Sequence, residues 1–397
     1  MCGLTTFVGL CGLANLAIAA PAKAAKTQSL NFAHLELEDD PRYLDDKLHA
    51  RNLAQATGRA FAGAEVALRE ASFNTEALGV TASIERVTER DVASLQAAID
   101  RLQKKGVSYF LLDLPGPLQA KLAAATKGRE LLLFNVSAGD DALRNAQCQS
   151  HLVHLIPSHA MQADAMAQYL VERKWRNVLL LRGPSPEDGL QATAFERAAK
   201  RFGLKIVATR NFLLSNDPRQ RDLGNVGLLT TGVDYDAVYV ADADGEFARG
   251  LPYRTVKPRP VVGSEGLVAT AWHWAWERHG APQLNKRFEK QAGRPMGATD
   301  WAAWLAVKSV IEAMQRTNGI DYKKLSAYLR GPDITIDGFK GNRLSFRPWD
   351  LQLRQPLLYA THNAVVERAP FDGFLHQSNK LDTLGHDAPD TQCRMNK

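Results

Sequence analysis

Short apolar runs alternate with stretches whose apolar residues recur every three or four positions, and this alternation continues through most of the chain. Leu30 to Leu37 alternates as a strand and stops at the turn Glu38-Asp39-Asp40-Pro41. Helical spacing follows from about Asp46 to Ala71, through Leu48, Leu53, Ala60, Phe61, Ala64 and Leu68. Leu78 to Val87 predicts a second strand and Val92 to Leu102 a second helix. Val107 to Leu114 predicts a third, mostly buried strand, ended by Pro115-Gly116-Pro117, which cannot continue a ladder. Leu118 to Ala125 is helical, and Leu131 to Val136 gives a fourth strand that runs into Ser137-Ala138-Gly139-Asp140-Asp141.

The pattern then restarts. His151 to Ile156 is a short apolar strand ended by Pro157, and Ser158 caps a helix from His159 to Arg173. Asn177 to Leu181 is a continuous apolar run of the kind found inside a parallel sheet. A helix over Gln191 to Phe202, a strand over Leu204 to Phe212, a loose helix or loop over 216–232, and strands at Asp236 to Asp242 and Pro260 to Gly263 complete a second series. Strands alternating with helices in two successive series predict an α/β protein with two doubly wound parallel sheets. After Gly263 the texture becomes aromatic. Helices are expected over Gln283 to Gln291, Thr299 to Arg316 and Tyr322 to Leu329, then short strands separated by Gly and Pro, then a polar tail from Phe371 that wraps the surface.

The 397 residues suffice for two domains with their own cores, and 45% hydrophobic with 23% charged residues is ordinary for a globular chain. A net charge of +6 without any dense Lys/Arg run argues against nucleic acid as a partner. Residues 3–20 form an uncharged apolar run followed by Ala-x-Ala steps, the pattern of a secretory leader over residues 1–25. No Lys or Arg precedes that run, so a membrane anchor is the rival reading; no other segment is apolar enough to span a bilayer. Cys2 and Cys11 depart with such a leader. Cys148 and Cys393 remain, either as one disulfide tying the tail to the first unit in an oxidising compartment or as two unpaired thiols. Nucleophile-elbow, P-loop, zinc-protease and paired Cys-x-x-Cys motifs are absent from the sequence, so no enzyme and no cofactor is predicted.

The order of elements resembles the type I periplasmic solute-binding proteins of ABC importers, whose best-known members bind branched-chain amino acids. The segments that carry the resemblance are PSHAMQADAMAQYLVERKWRNVLLL (157–181), RFEKQAGRP (287–295) with TDWAAWLAVKSVIEAM (299–314), and GFKGNRLSFRPWDLQLRQPLLYA (338–360). A narrower likeness, in VVGSEGLVATAWHWAWERHGAPQLNKRF, WDLQLRQPLLYAT and GFLHQSNKLDTLGHD with Cys393, is to a subgroup associated with pyrroloquinoline-quinone-dependent alcohol catabolism. The resemblance implies two parallel-sheet lobes joined by a three-segment hinge, with crossings near 156, 275 and 338. Residues 28–155 plus 276–337 would form the first lobe, 156–275 plus 338–370 the second, and 371–397 a tail. It also implies a monomeric periplasmic receptor that closes on a small molecule or ion and hands it to an inner-membrane permease. A ligand-sensing receptor with the same fold is an alternative.

In open parallel sheets ligands bind beyond the carboxyl ends of the strands. Those ends nominate Asp40 and Tyr43 after the first strand, Pro115 after the third and Ser137, Asp140 and Asp141 after the fourth. In the second series they nominate Ser185, Asp242, Asp244 and Glu265, and Trp272 stands at a predicted crossing. So many oxygen donors suit an ammonium group or a hard cation such as calcium or a lanthanide, the latter linked to quinone-dependent alcohol oxidation. Asp after a strand is also an ordinary helix cap. His151 and His154 fall on opposite faces of a strand, which argues against their sharing a metal with His159.

Overall fold

The computed structural model describes residues 2–3, 28–43 and 58–395. The leader expected over 1–25 and the first part of the helix expected from Asp46 lie outside the described residues, apart from residues 2–3. Among the described residues no helix is long and apolar enough to cross a membrane.

The first sheet holds β1 (Gln28–Leu37), β2 (Val80–Glu89), β3 (Tyr109–Asp113), β4 (Leu132–Asn135) and β5 (Leu152–His154), all parallel, in the order β2-β1-β3-β4-β5. Alternate residues of each strand face opposite ways. Phe32, Tyr109, Leu111 and Phe134 pack with α1 (Phe61–Ala77), whereas Ala33, Leu35, Phe110 and Leu112 pack with α2 (Val92–Lys104) and α3 (Gly116–Ala125). Both faces are therefore covered, which is why these strands read as near-continuous apolar runs.

α4 (His159–Glu172) opens the second lobe, and Ser158 Oγ accepts the Met161 N–H as its cap. The second sheet is again parallel: β6 (Asn177–Arg182), β7 (Lys205–Asn211), β8 (Ala237–Ala241) and β9 (Val261–Gly263), in the order β7-β6-β8-β9. Its faces are covered by α4 and α5 (Pro186–Phe202) on one side and by Phe212, Phe247 and Leu251 on the other; α6 (Val226–Thr230) lies in the stretch expected as a loose helix or loop over 216–232. α5 begins at Pro186 rather than near Gln191. Ser185 and Asp188 cap it reciprocally, Ser185 Oγ accepting the Asp188 N–H and Asp188 Oδ2 accepting the Ser185 N–H.

After β10 (Val268–Thr270) the chain returns to the first lobe as α7 (Ala281–Ala292), α8 (Ala298–Thr317) and α9 (Tyr322–Arg330). Trp301, Trp304 and Leu305 of α8 complete the core beneath β1 and β3. β11 (Ile336–Asp337), β12 (Arg343–Phe346) and β13 (Leu353–Arg354) form a small antiparallel sheet whose Ile336, Leu344, Phe346 and Leu353 belong to that same core. β14 (Leu357–Ala360) and β15 (Val365–Ala369) instead pair with β10 in the second lobe. The third crossing thus falls between β13 and β14, not near residue 338. Side chains lace the crossings together: Gln355 Nε2 donates to the Leu155 carbonyl (2.7 Å), Lys340 Nζ to Gln355 Oε1 (2.6 Å), and Arg144 Nη2 to the Ile156 carbonyl (2.9 Å).

The tail is more than a polar wrap. Leu381 and Leu384 are buried, and Asp382 accepts from both Arg347 (3.0 Å) and Arg354 (2.8 Å). Gly385 N–H donates to Asp164 of α4 (2.8 Å). Eight residues on, Cys393 is disulfide-bonded to Cys148, in the loop between β4 and β5. The tail is a fourth, covalently closed connection between the lobes.

Candidate ligand-binding cleft

Each sheet has a switch point, between β1 and β3 in the first and between β6 and β8 in the second, and the loops leaving these four strands converge on one cavity of about 460 Å³. Its first-lobe wall is Asp40-Pro41-Arg42, Pro115-Gly116-Pro117 and Ser137 to Asp140; its second-lobe wall is Ser185, Glu187, Gln191, Ala243 and Asp244. A second cavity of about 220 Å³ opens into the second lobe between His159, Gln162, Gln191, Asp242 and Ser264, and shares Gln191 and Ala243 with the first.

The sequence-nominated residues divide by what their polar atoms already do. Asp40 lines the cavity, but its carboxylate accepts from the Arg42 N–H (2.9 Å), Nε (3.0 Å) and Nη2 (2.7 Å). Tyr43 turns beneath the wall, its hydroxyl donating to Asp113 Oδ2 (2.9 Å). Asp113 also accepts from Arg42 Nη2 (3.1 Å) and from the Ala60 N–H (3.3 Å) at the start of α1. Burial pushes the Asp113 carboxyl up, but Arg42, His34 and the Tyr43 hydroxyl outweigh it and hold the group below its ordinary range. Asp40, Tyr43 and Asp113 thus orient one guanidinium, Arg42, at the mouth of the first lobe.

Pro115 precedes α3 and lines the cavity with Gly116, where an added Cβ would collide with the Asp140 carboxylate. Ser137 Oγ donates to the Leu114 carbonyl (3.2 Å), while Asn135 Oδ1 accepts the Ser137 and Ala138 N–H groups and shapes the loop. Ser185 lines the cavity as the cap of α5, and Asp188 Oδ1 ties that helix to the loop after β8 through the Ala243 N–H (2.6 Å). Asp244 reaches the cavity and accepts the Glu246 N–H (3.0 Å). Asp242 lines the second cavity and accepts the Ala248 N–H (2.7 Å).

Besides Tyr43, two nominees are placed outside the walls. Glu265 Oε1 accepts its neighbour's Gly266 N–H (3.0 Å), and the residue is not in either wall. Trp272 is a core residue, 2% exposed, stacked on Trp301 at 5.9 Å between centroids with Nε1 donating to Asn285 (3.0 Å). Its distance from the cavity follows from the return of α8, which brings a second indole beside it.

Asp140, a strand-end candidate, lines the first-lobe wall, and Arg42, His159, Glu187 and Gln191, not nominated as ligand contacts, complete the walls. His159 Nε2 lies 2.8 Å from Glu187 Oε1. Burial pushes the His159 imidazole down, but Glu187, Asp141 and Asp140 outweigh it and raise it above its ordinary value. Burial, reinforced by Glu187, raises Asp140. Burial pushes Glu187 up, but His159, then Gln191 and, across the cavity, Arg42 outweigh it and hold the group below its ordinary range. The legible signal for Glu187 was Ser185-Pro186-Glu187-Asp188, a cap followed by proline and two acids at a helix start.

Asp242 is pushed up to about 6 by burial and then by its neighbours Asp244 and Asp188. An acid whose folded value exceeds its unfolded value contributes stability that is complete below the unfolded value of about 3.8 and is lost as pH rises through about 6. Asp242→Asn is therefore expected to flatten the fall in melting temperature between pH 4 and roughly 6.5. Identical pH profiles for variant and parent would remove Asp242 as the titrating group.

No family model and no curated protein matches the chain. Solved structures match along most of its length. A branched-chain amino acid ABC transporter periplasmic ligand-binding protein from Burkholderia xenovorans is 15% identical, covers 93% of this chain and 100% of its own, and has a TM-score of 0.69. The closed form of a leucine-, isoleucine-, valine-, threonine- and alanine-binding protein from Brucella ovis is 13% identical, covering 86% and 95%, at a TM-score of 0.69. An ABC transporter solute-binding protein from R. palustris in complex with benzoate is 11% identical, covering 92% and 99%, at a TM-score of 0.67. At these identities the likeness is one of architecture: two parallel-sheet α/β lobes in the type I periplasmic binding protein fold.

Proposed function

We propose that the chain is the periplasmic substrate-binding component of an ABC transporter. It would take a small ligand between its lobes and present the closed form to a membrane permease. The observation that carries this reading is the convergence of both switch points on one cavity, so that a ligand there touches both sheets at once. Contacts from both sides stabilise the closed arrangement over the open one, which is how binding drives hinge closure. The lobes would be residues 28–155 plus 276–354 and residues 156–275 plus 355–370, with the tail bridging them. Export by the leader, a monomeric state and the absence of catalysis belong to the same proposal. The link to quinone-dependent alcohol catabolism rests on the sequence resemblance alone.

The walls are electrically unlike. The first-lobe wall carries a cation, Arg42, and the N-terminal end of α3 alongside Asp40 and Asp140, while the charged groups of the second-lobe wall, Glu187 and Asp244, are all acids. This favours a ligand with an anionic end and a cationic or hydrogen-bond-donating end, such as an amino acid or a small amino- or hydroxy-substituted carboxylate. A hard-ion cage is less well supported, because Asp242, Asp244 and Glu265 each already accept a backbone N–H.

A melting-temperature screen of amino acids and small aromatic carboxylates should find a stabilising ligand, since binding to the folded state raises the midpoint by mass action. The same ligand should contract the chain in small-angle scattering. Arg42→Ala should weaken an anionic ligand about 10- to 100-fold, the worth of a charged hydrogen bond. A stabilising ligand that leaves the scattering unchanged and binds the Arg42 variant equally well would sink the cleft reading.

A further inference from the structure

We propose that Asp140, His159 and Glu187 bind a divalent metal ion of the zinc class at the meeting of the two lobes, a site that rests on the cleft reading above. The three side chains come from separate elements: the loop after β4, the first residue of α4 and the second residue of α5. One ligand atom from each lies within 4.8 Å of the other two.

The imidazole supplies an independent observation. His159 is 7% exposed, and its Nε2 is enclosed without a hydrogen-bond partner. Glu187 Oε1 is only 2.8 Å away, yet not in line for an N–H···O bond. An enclosed nitrogen beside a carboxylate oxygen, unaligned as donor and acceptor, is how two ligands of one ion stand. Zinc bonds of about 2.0–2.2 Å to nitrogen and oxygen fit a cluster of this width after small side-chain adjustments.

The surroundings hold this geometry. The bare Cα of Gly139 leaves room for the ring, since a Cβ there would lie 2.8 Å from His159 Cε1. The His159 N–H donates to the Gly139 carbonyl (2.8 Å), and Arg144 Nη1 donates to the Ala138 and Asp140 carbonyls (both 2.9 Å).

The donor set decides the class of ion. One imidazole with two carboxylates suits zinc and its neighbours, whereas calcium and the lanthanides require six or more oxygens. Three protein ligands leave a coordination position for the cargo. Asp140 and Glu187 wall the larger cavity and His159 the smaller, so that position faces the ligand space. A second cluster, His34, Glu36 and Asp113, is as compact and its His34 nitrogens and Glu36 Oε2 are also without hydrogen-bond partners, but guanidinium groups supply its cations: Arg86 on Glu36 Oε1 (2.8 Å) and Arg42 on Asp113 (3.1 Å). It is an ion-pair network rather than a metal site.

The test is calorimetric titration of the chelator-stripped full chain with zinc chloride, with calcium and lanthanum chlorides as comparison probes. One zinc per chain is expected, weakened at least tenfold in both His159→Gln and the more exposed Glu187→Gln, with calcium and lanthanum at least tenfold weaker than zinc. No zinc binding, zinc binding unchanged in both variants, or tighter binding of calcium or lanthanum overturns the assignment. Amino acids and aromatic carboxylates titrated into the stripped chain report on the cleft separately. Organic ligand bound without any zinc response removes the metal site and leaves the cleft. Zinc bound through these residues, with neither metal nor organic ligand contracting the chain in scattering, supports the site and removes hinge closure.

Discussion

Asp113→Ala is expected to cost about 3–5 kcal/mol of stability, the usual loss when one partner of a buried charge network is removed. Asp113 is fully buried and accepts from Arg42, Tyr43 and the first N–H before α1. Without it the Arg42 guanidinium keeps only Asp40 on this side, the Tyr43 hydroxyl loses its acceptor, and α1 loses its anchor to β3. The effect should extend to ligand binding, because the carboxylate that stabilises this corner also aims Arg42 into the cleft. Asp113→Asn, which keeps an acceptor but not the charge, should fall between parent and alanine variant. Denaturant midpoints check the first part and calorimetry the second. An alanine variant within about 1 kcal/mol of the parent would show that the network is not a stabilising one.

The second large effect is expected at the tail. Cys148 and Cys393 are 245 positions apart, so their bond closes most of the chain into one loop and restricts the unfolded ensemble by about 5 kcal/mol in the chain-entropy model. Cys393→Ser should lower the denaturant midpoint to that of the reduced parent, and reductant should then have no further effect on the variant. The bond is also connected to the cleft: Thr391 Oγ1 donates to the Arg144 carbonyl, and Arg144 in turn holds the loop of Ala138 and Asp140. The variant should therefore bind cleft ligands more weakly as well as unfold sooner. A midpoint indifferent to both mutation and reductant would mean that the tail contributes nothing once the lobes are folded.

How far the sequence carried depended on the range of the interactions. Strands and helices with strong local periods, such as Val107 to Leu114 or the α8 stretch, were legible because their burial pattern is written into consecutive residues. The third crossing was not legible. β11 to β13 span two to four residues each, too short for a period, and only the packing of Leu344 and Phe346 beside Trp301 shows which lobe they join. The strand-end rule located the cleft loops, bringing Asp40, Pro115, Ser137, Ser185 and Asp244 to one cavity. It could not tell which side chains were already spoken for. Arg42 follows an acidic turn and carries no periodic signal; its setting by Asp113 spans 71 positions. Trp272 was drawn to the wrong place for a similar reason, since its stacking partner is 29 residues away and on a helix whose docking no local pattern announces.

The core beneath β1 and β3 has a consequence for how the molecule is made. It is assembled from residues of the first 156 positions together with Trp301, Leu305, Phe346 and their neighbours from beyond position 270. A chain emerging from its amino end therefore presents one face of the first sheet covered only by α1 until nearly its whole length is available; of the sheet from β6 to β9, one face closes within a continuous span, while the other also waits for Leu357, Tyr359 and Leu384. Such long-range closure is slow and prone to misassociation. The face of the second sheet formed by Phe212, Phe247 and Leu251 is thus expected to mature first, with the rest of both halves waiting, unfinished, for their return segments to arrive.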